Sequence, residues 1–122
     1  MLARRSHLTV ADNSGAKSLV VIGSEKGSGK RFIRLGEIAT CVVKGAAPLG
    51  QVKDHQIVKA TIVRTKKETR RADGSYIRFS DNAAVVCDDN GIPAGTRIFG
   101  PVAQELKQKG FTKIISMAKE VY

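Results

Sequence analysis

The chain has no tryptophan, and aromatic residues make up only 5% of its 122 positions. Single-strand-binding barrels stack bases on aromatic platforms, so this scarcity counts against a free-standing module of that type. Cysteine is limited to Cys41 and Cys87. Both sit in apolar runs, ATCVV and AVVCD, and read as buried, reduced thiols that pack as small hydrophobes. A zinc site needs further ligands at suitable spacing. His7 and His55 are remote from each other and from both cysteines, so no metal is assigned. No apolar run reaches the ~20 residues of a membrane span. The start, MLARRSHLTV, lacks the apolar segment of a secretory signal and carries at most a weak trace of an organellar transit peptide. The chain is therefore expected to stay in the compartment where it is made.

Acidic residues are also scarce. Lys and Arg number 21 against 11 Asp and Glu, a net charge of +10. The excess is confined: residues 1–80 hold 16 basic and 6 acidic side chains, and residues 81–122 hold 5 of each. Charge concentrated in one part of a chain is the footprint of a polyanion partner. Nucleic acid is favoured over an acidic membrane surface, because the basic segments look like strands rather than an amphipathic helix.

The glycine-rich run GSEKGSGK (23–30) tests for a nucleotide enzyme. A phosphate-binding loop needs G-x-x-x-x-G-K followed by Ser or Thr, so that backbone N–H groups converge on phosphate and a hydroxyl reaches magnesium. Here Gly23 lies six residues before Gly29, and Arg31 follows Lys30. The following RFIRLGEIAT reads as a strand entrance, not a helix. The run is expected to be a loop between strands, with Lys26, Lys30 and Arg31 directed at phosphate. Carboxylates are few and mostly in turns, and no nucleophile–base set emerges. No catalytic residue and no cofactor is assigned.

What is present is β-rich. KSLVVIG (17–23), EIATCVVKGA (37–46), IVKATIVRT (57–65), SYIRF (75–79) and NAAVVCD (82–88) are rich in β-branched residues and bounded by turn formers. They predict a small closed five-stranded antiparallel barrel over about 1–95, with Lys59 and Arg64 toward solvent. Residues 96–122 predict a loop and short helices. Pro101 is placed at the start of the first, and Gly110 at its close. Phe111, Ile114, Ile115 and Ala118 form the apolar stripe of the second. One domain, 1–122, accounts for the whole chain.

RTKKETRRADGSYIR (64–78) is the most suggestive stretch. Asp73-Gly74 signals a hairpin. Arg64, Lys66, Lys67, Arg70, Arg71 and Arg78 outnumber Glu68 and Asp73, which suits a ribbon inserted into folded RNA. Ile77 and Phe79 should face the core, with Tyr76 and Arg78 on the other side. Tyr76 has two readings: stacking on a base, or covering the barrel. In the turn ADNSGAK (11–17), Asn13, Ser14 and Lys17 are short donors or cations that can meet a phosphate backbone. DDNG (88–91) is a turn lacking the later ligands of a calcium loop. In GTRIFGP (95–101), Thr96 and Arg97 have no evident internal task.

With these residues in view, the chain resembles the large-subunit ribosomal protein family numbered fourteen in the universal nomenclature, in its bacterial or organellar form. The matching stretches are VADNSGAK (10–17), VVKGAAPLGQVK (42–53), IVKATIVRTKK (57–67), RRADGSYIRFSDNAAVV (70–86), GTRIFGPVAQEL (95–106) and FTKIISMAKEV (111–121). The resemblance implies a five-stranded closed barrel with a projecting ribbon and C-terminal helices. It implies binding to large-subunit rRNA, with Lys44 and Lys53 joining the cations named above. It also implies neighbouring large-subunit proteins, a bridge to small-subunit rRNA, and docking of the ribosome silencing factor at Thr96, Arg97 and Lys113. Location follows: a ribosome in the bacterial cytoplasm, or in a mitochondrial or plastid matrix. Three positions depart from the family pattern. Ala72 replaces the hairpin proline, Lys119 replaces a proline near the end, and Thr61 interrupts a run of aliphatics. The chain also lacks the extensions typical of archaeal and eukaryotic cytosolic members.

Overall fold

The computed structural model describes residues 2, 3, 5–24, 32–48 and 50–122. Lys26, Lys30 and Arg31 lie outside the described residues. The strands are β1 (His7–Val10), β2 (Ala16–Ser24), β3 (Ile38–Ala46), β4 (Ile57–Arg64), β5 (Thr69–Arg70), β6 (Tyr76–Ile77) and β7 (Ala83–Cys87). Two helices follow, α1 (Glu105–Gln108) and α2 (Thr112–Met117). Strands β1, β2, β3, β4 and β7 close into a barrel, and β5 with β6 forms a separate ribbon.

The closed five-stranded barrel matches expectation in strand number, and two details differ. SYIRF is not a barrel strand: only Tyr76–Ile77 is paired, and its partner is Thr69–Arg70. The fifth barrel strand is HLTV, four residues long. It packs one buried residue, Leu8, and closes the sheet by pairing parallel to β7, Thr9 opposite Ala83 and Val10 opposite Ala84. The other four pairings are antiparallel, so the barrel is mixed.

The alternation of strand side chains builds two cores. Leu8, Leu19, Val21, Ala39, Cys41, Val43, Ala60, Ile62, Ala84 and Val86 fill the barrel interior. Val63, Ala83 and Val85 point outward from the same strands and form a second core with Ile98, Val102, Leu106 and Ile114. Covered on both faces, β4 from Ala60 onward and the whole of β7 read as unbroken buried runs, while β3 alternates. Full burial of Leu106 and Ile114 contributes about 2 kcal/mol each. That anchors two helices too short to persist alone.

Thr61 belongs to this arrangement. It is fully buried, and its hydroxyl lies 3.2 Å from the Cys87 sulfur. A polar group in an apolar layer is tolerated because it has a partner. Both cysteines are free and buried. Burial, with the Cys87 thiol nearby, pushes the Cys41 thiol up to about 12.

A β-bulge changes the aim of β4. Ile62 pairs with Ala84 and Arg64 with Ala83, leaving Val63 as the extra residue. Bulges re-aim the side chains that follow them. Arg64 is accordingly not toward solvent: it is 7% exposed. Pro101 is also not at a helix start. Its carbonyl accepts from Arg64, the next residue pairs with Val121, and α1 begins only at Glu105. Gly110, at φ +92°, follows α1 in the left-handed conformation expected of it.

A candidate nucleic-acid interface and a docking loop

The ribbon is built as its sequence suggests. Thr69 pairs with Ile77 and Arg70 with Tyr76. The turn closes when Gly74 N–H donates to the Arg71 carbonyl at 3.0 Å. Asp73 Oδ1 accepts from the Ser75 N–H at 3.0 Å and the Ser75 hydroxyl at 2.6 Å. These bonds hold its carboxyl below the usual range. The turn therefore needs no proline at Ala72. Ile77 and Phe79 pack against the barrel core, and Tyr76 is 62% exposed.

Lys66, Lys67, Arg70 and Arg78 are exposed on this ribbon and its flanks. Among the described residues, none of them forms an ion pair. Arg71 differs. Its Nε donates to Glu105 Oε1 at 2.9 Å, and its Nη2 to the Tyr122 carbonyl. It ties the ribbon to α1 and the chain end, and its charge is already matched.

Two residues expected at phosphate are interior, and the expectation is corrected for both. Arg64 donates from Nε to Asp81 Oδ1 at 2.9 Å, and from Nη1 to the Phe99 and Pro101 carbonyls at 2.9 Å each. Gly100, at φ +79°, leaves room for it: a Cβ there would lie 2.5 Å from Nη1. Ser14 is fully buried, and its hydroxyl donates to Asp12 Oδ1 at 2.7 Å. Asp12 also accepts from the Ser14 and Val86 N–H groups. Burial nevertheless pushes its carboxyl above the usual range, against the lowering effect of those bonds.

Asn13 is exposed, yet its amide is engaged. Oδ1 accepts from the Thr96 and Arg97 N–H groups at 2.8 and 3.1 Å, and Nδ2 donates to the Thr96 hydroxyl at 3.0 Å. Sequence reasoning put Asn13 with RNA. Its side chain fixes the loop that displays Thr96 and Arg97. The pairing spans 83 positions of chain and leaves no local signal.

Strand order sorts the remaining cations. Lys17 near the start of β2 and Lys44 near the end of β3 share one end of the barrel, with exposed Lys53 in the β3–β4 connection. Asp54 sits there too, its carboxyl lowered chiefly by the Gly45 N–H. The ribbon leaves from the opposite end, between β4 and β7. The expected RNA-contacting set is thus split between two ends of one barrel.

Of the three residues that the resemblance assigns to the silencing-factor surface, Thr96 and Arg97 meet at one cavity, and Lys113 is not among its lining residues. Thr96, Arg97, Ile98, Phe99 and Gly100 line a cavity of ≈ 500 Å³ with Met117 and Lys119. Lys113 lies four residues before Met117 on α2, so the two share a helical face. Phe99 and Lys119 were not anticipated at this surface. Phe99 is 53% exposed, whereas its neighbour Ile98 is buried. Lys119 lies beyond the end of α2, so its replacement of a proline does not disturb that helix.

The described residues include no cluster of three or more His, Cys, Asp or Glu side chains able to hold a metal ion. What remains defines a class: a small basic barrel protein, buttressed by short helices, that displays exposed cations at both ends. The chain matches the ribosomal protein L14p/L23e family over residues 1–122 and belongs to it. It is accordingly a structural protein of the large ribosomal subunit, located on the ribosome.

Proposed function

We propose that the chain binds large-subunit rRNA through its ribbon and through the cations at the far end of the barrel. One observation carries this reading: Lys66, Lys67, Arg70 and Arg78 are exposed, crowded and without ion pairs among the described residues. Like charges on a short ribbon repel until a partner neutralises them. Phosphate does so and releases counterions, a favourable entropy that salt suppresses. Lys17, Lys44 and Lys53 supply a second contact, and Lys26, Lys30 and Arg31 a third.

Salt dependence of rRNA binding is the test. Arg70→Ala should flatten the slope of log K against log salt by about 0.7–0.9, the equivalent of one phosphate contact. An unchanged slope would refute the ribbon contact.

Family membership extends the proposal to neighbouring large-subunit proteins and to a bridge to small-subunit rRNA. Thr96, Arg97 and Lys113 then form the docking surface for the ribosome silencing factor. The support is that all three are exposed, and that Thr96 and Arg97 line one cavity with Phe99 and with Met117, which lies one helical turn from Lys113. An arginine beside exposed apolar groups is a common interface anchor. Arg97→Ala or Lys113→Ala should weaken factor binding and leave rRNA affinity intact. Normal binding by both variants would overturn the assignment.

A further inference from the structure

A second groove lies where the ribbon meets the barrel. Arg34 reaches it from the connection before β3, and Lys67, Glu68, Thr69, Arg70 and Tyr76 from the ribbon. Its volume is ≈ 350 Å³. Ligand pockets begin at about 300 Å³, so the space suits one nucleotide and not a duplex.

The side chains present are those a nucleotide needs. Arg70 and Tyr76 are direct cross-strand partners, which puts them on one face of the ribbon. The Tyr76 ring is exposed while its neighbour Ile77 turns to the core, so core packing does not explain the ring. Arg34 is held in place by its backbone N–H, which donates to Glu37 Oε1 at 3.0 Å, while its guanidinium has no partner among the described residues. Lys67 and Arg70 likewise have none. Three cations and one open aromatic face therefore converge on a space of nucleotide size.

We propose that this groove takes a single unpaired RNA nucleotide. The base stacks on Tyr76, and Arg34, Lys67 and Arg70 hold the flanking phosphates. Glu68, the one carboxylate in the groove, accepts from the ribose 2′-hydroxyl or an exocyclic amino group. The proposal rests on the RNA-binding reading and adds a demand of its own. A base inside a regular helix has both faces covered, so only an extruded or single-stranded nucleotide offers one to the ring.

The chain has two tyrosines and no tryptophan. Tyr122→Phe therefore leaves Tyr76 as the sole tyrosine emitter. This variant is titrated with a short hairpin RNA carrying one bulged adenosine, and with the same hairpin lacking the bulge. The bulged RNA should quench the fluorescence and bind more tightly. Tyr76→Ser should weaken binding of the bulged hairpin roughly five- to hundredfold and erase the preference, the range for one base–aromatic stack. Tyr76→Phe should retain it. Neither variant should alter the salt slope or the melting temperature, because the ring is exposed and carries no charge. Equal, salt-dependent binding of both hairpins, indifferent to Tyr76→Ser, would overturn the groove and leave the RNA reading standing. Binding of neither hairpin at any salt concentration would remove both.

Discussion

Replacing Arg64 tests how the barrel holds its C-terminal loop. The guanidinium makes three hydrogen bonds at 2.9 Å, to Asp81, Phe99 and Pro101, and a longer fourth of 3.3 Å to Asp81 Oδ2. Its side chain is 9% exposed and that of Asp81 is 36%. Breaking a fully buried ion pair costs about 3–5 kcal/mol. Asp81 recovers part of its hydration here, which lowers that figure. The two carbonyls stranded beside Gly100 raise it, at ~1–3 kcal/mol per unsatisfied buried group. Arg64→Ala should therefore destabilise the protein by about 3 kcal/mol, a large share of the ~5–15 kcal/mol typical of a domain. Arg64→Lys should recover little, since an ammonium cannot fork onto Asp81 and reach both carbonyls. Urea unfolding with a constant m-value measures the change. The salt slope of RNA binding, measured below the unfolding range, should be unchanged. A loss under 1 kcal/mol, or a slope reduced by a full phosphate contact, would refute the structural role assigned to Arg64.

Arg71→Ala should lower stability by about 1–2 kcal/mol through lost contacts to Glu105 and Tyr122, yet flatten the salt slope less than Arg70→Ala; an equal flattening would contradict its pairing. Asp12→Asn should destabilise by about 1–3 kcal/mol in urea unfolding, because three donors converge on a carboxylate and an amide nitrogen would face one of them. The Cys41 thiol ionises near 9.0 when unfolded and near 12 when folded, so its contribution is complete below pH 9 and lost as pH rises toward 12. Cys41→Ala should therefore reduce the alkaline slope of stability in that window, and an identical slope in both proteins would argue against a buried thiol.

Much of the fold was legible because it is written in short-range terms. β2, β3, β4 and β7 announce themselves through β-branched residues between turn formers. The Asp73-Gly74 hairpin and the Ile77/Phe79 inward face follow from local chemistry and the two-residue period of a strand. β1 was missed because four residues with one buried side chain carry little pattern. SYIRF was placed in the barrel because its alternation is genuine, and alternation names a strand without naming its partner.

The functional residues divide along the same line. Sequence alone determined that this chain is a basic β-barrel protein with a cationic ribbon, since charge and alternation are sums over neighbours. The tertiary structure decided which cations remain available. Arg64, Arg71 and Lys67 look alike in the string RTKKETRR. Only the bulge at Val63, the position of Glu105 and the carbonyls at Phe99 and Pro101 separate a buried brace from a tether and an exposed charge. Asn13 shows the same thing at longer range, its amide committed to a loop 83 residues away. A hydrogen-bond partner is chosen by the folded surface and not by the residue that needs it, so the final assignment of each polar side chain had to wait for the fold.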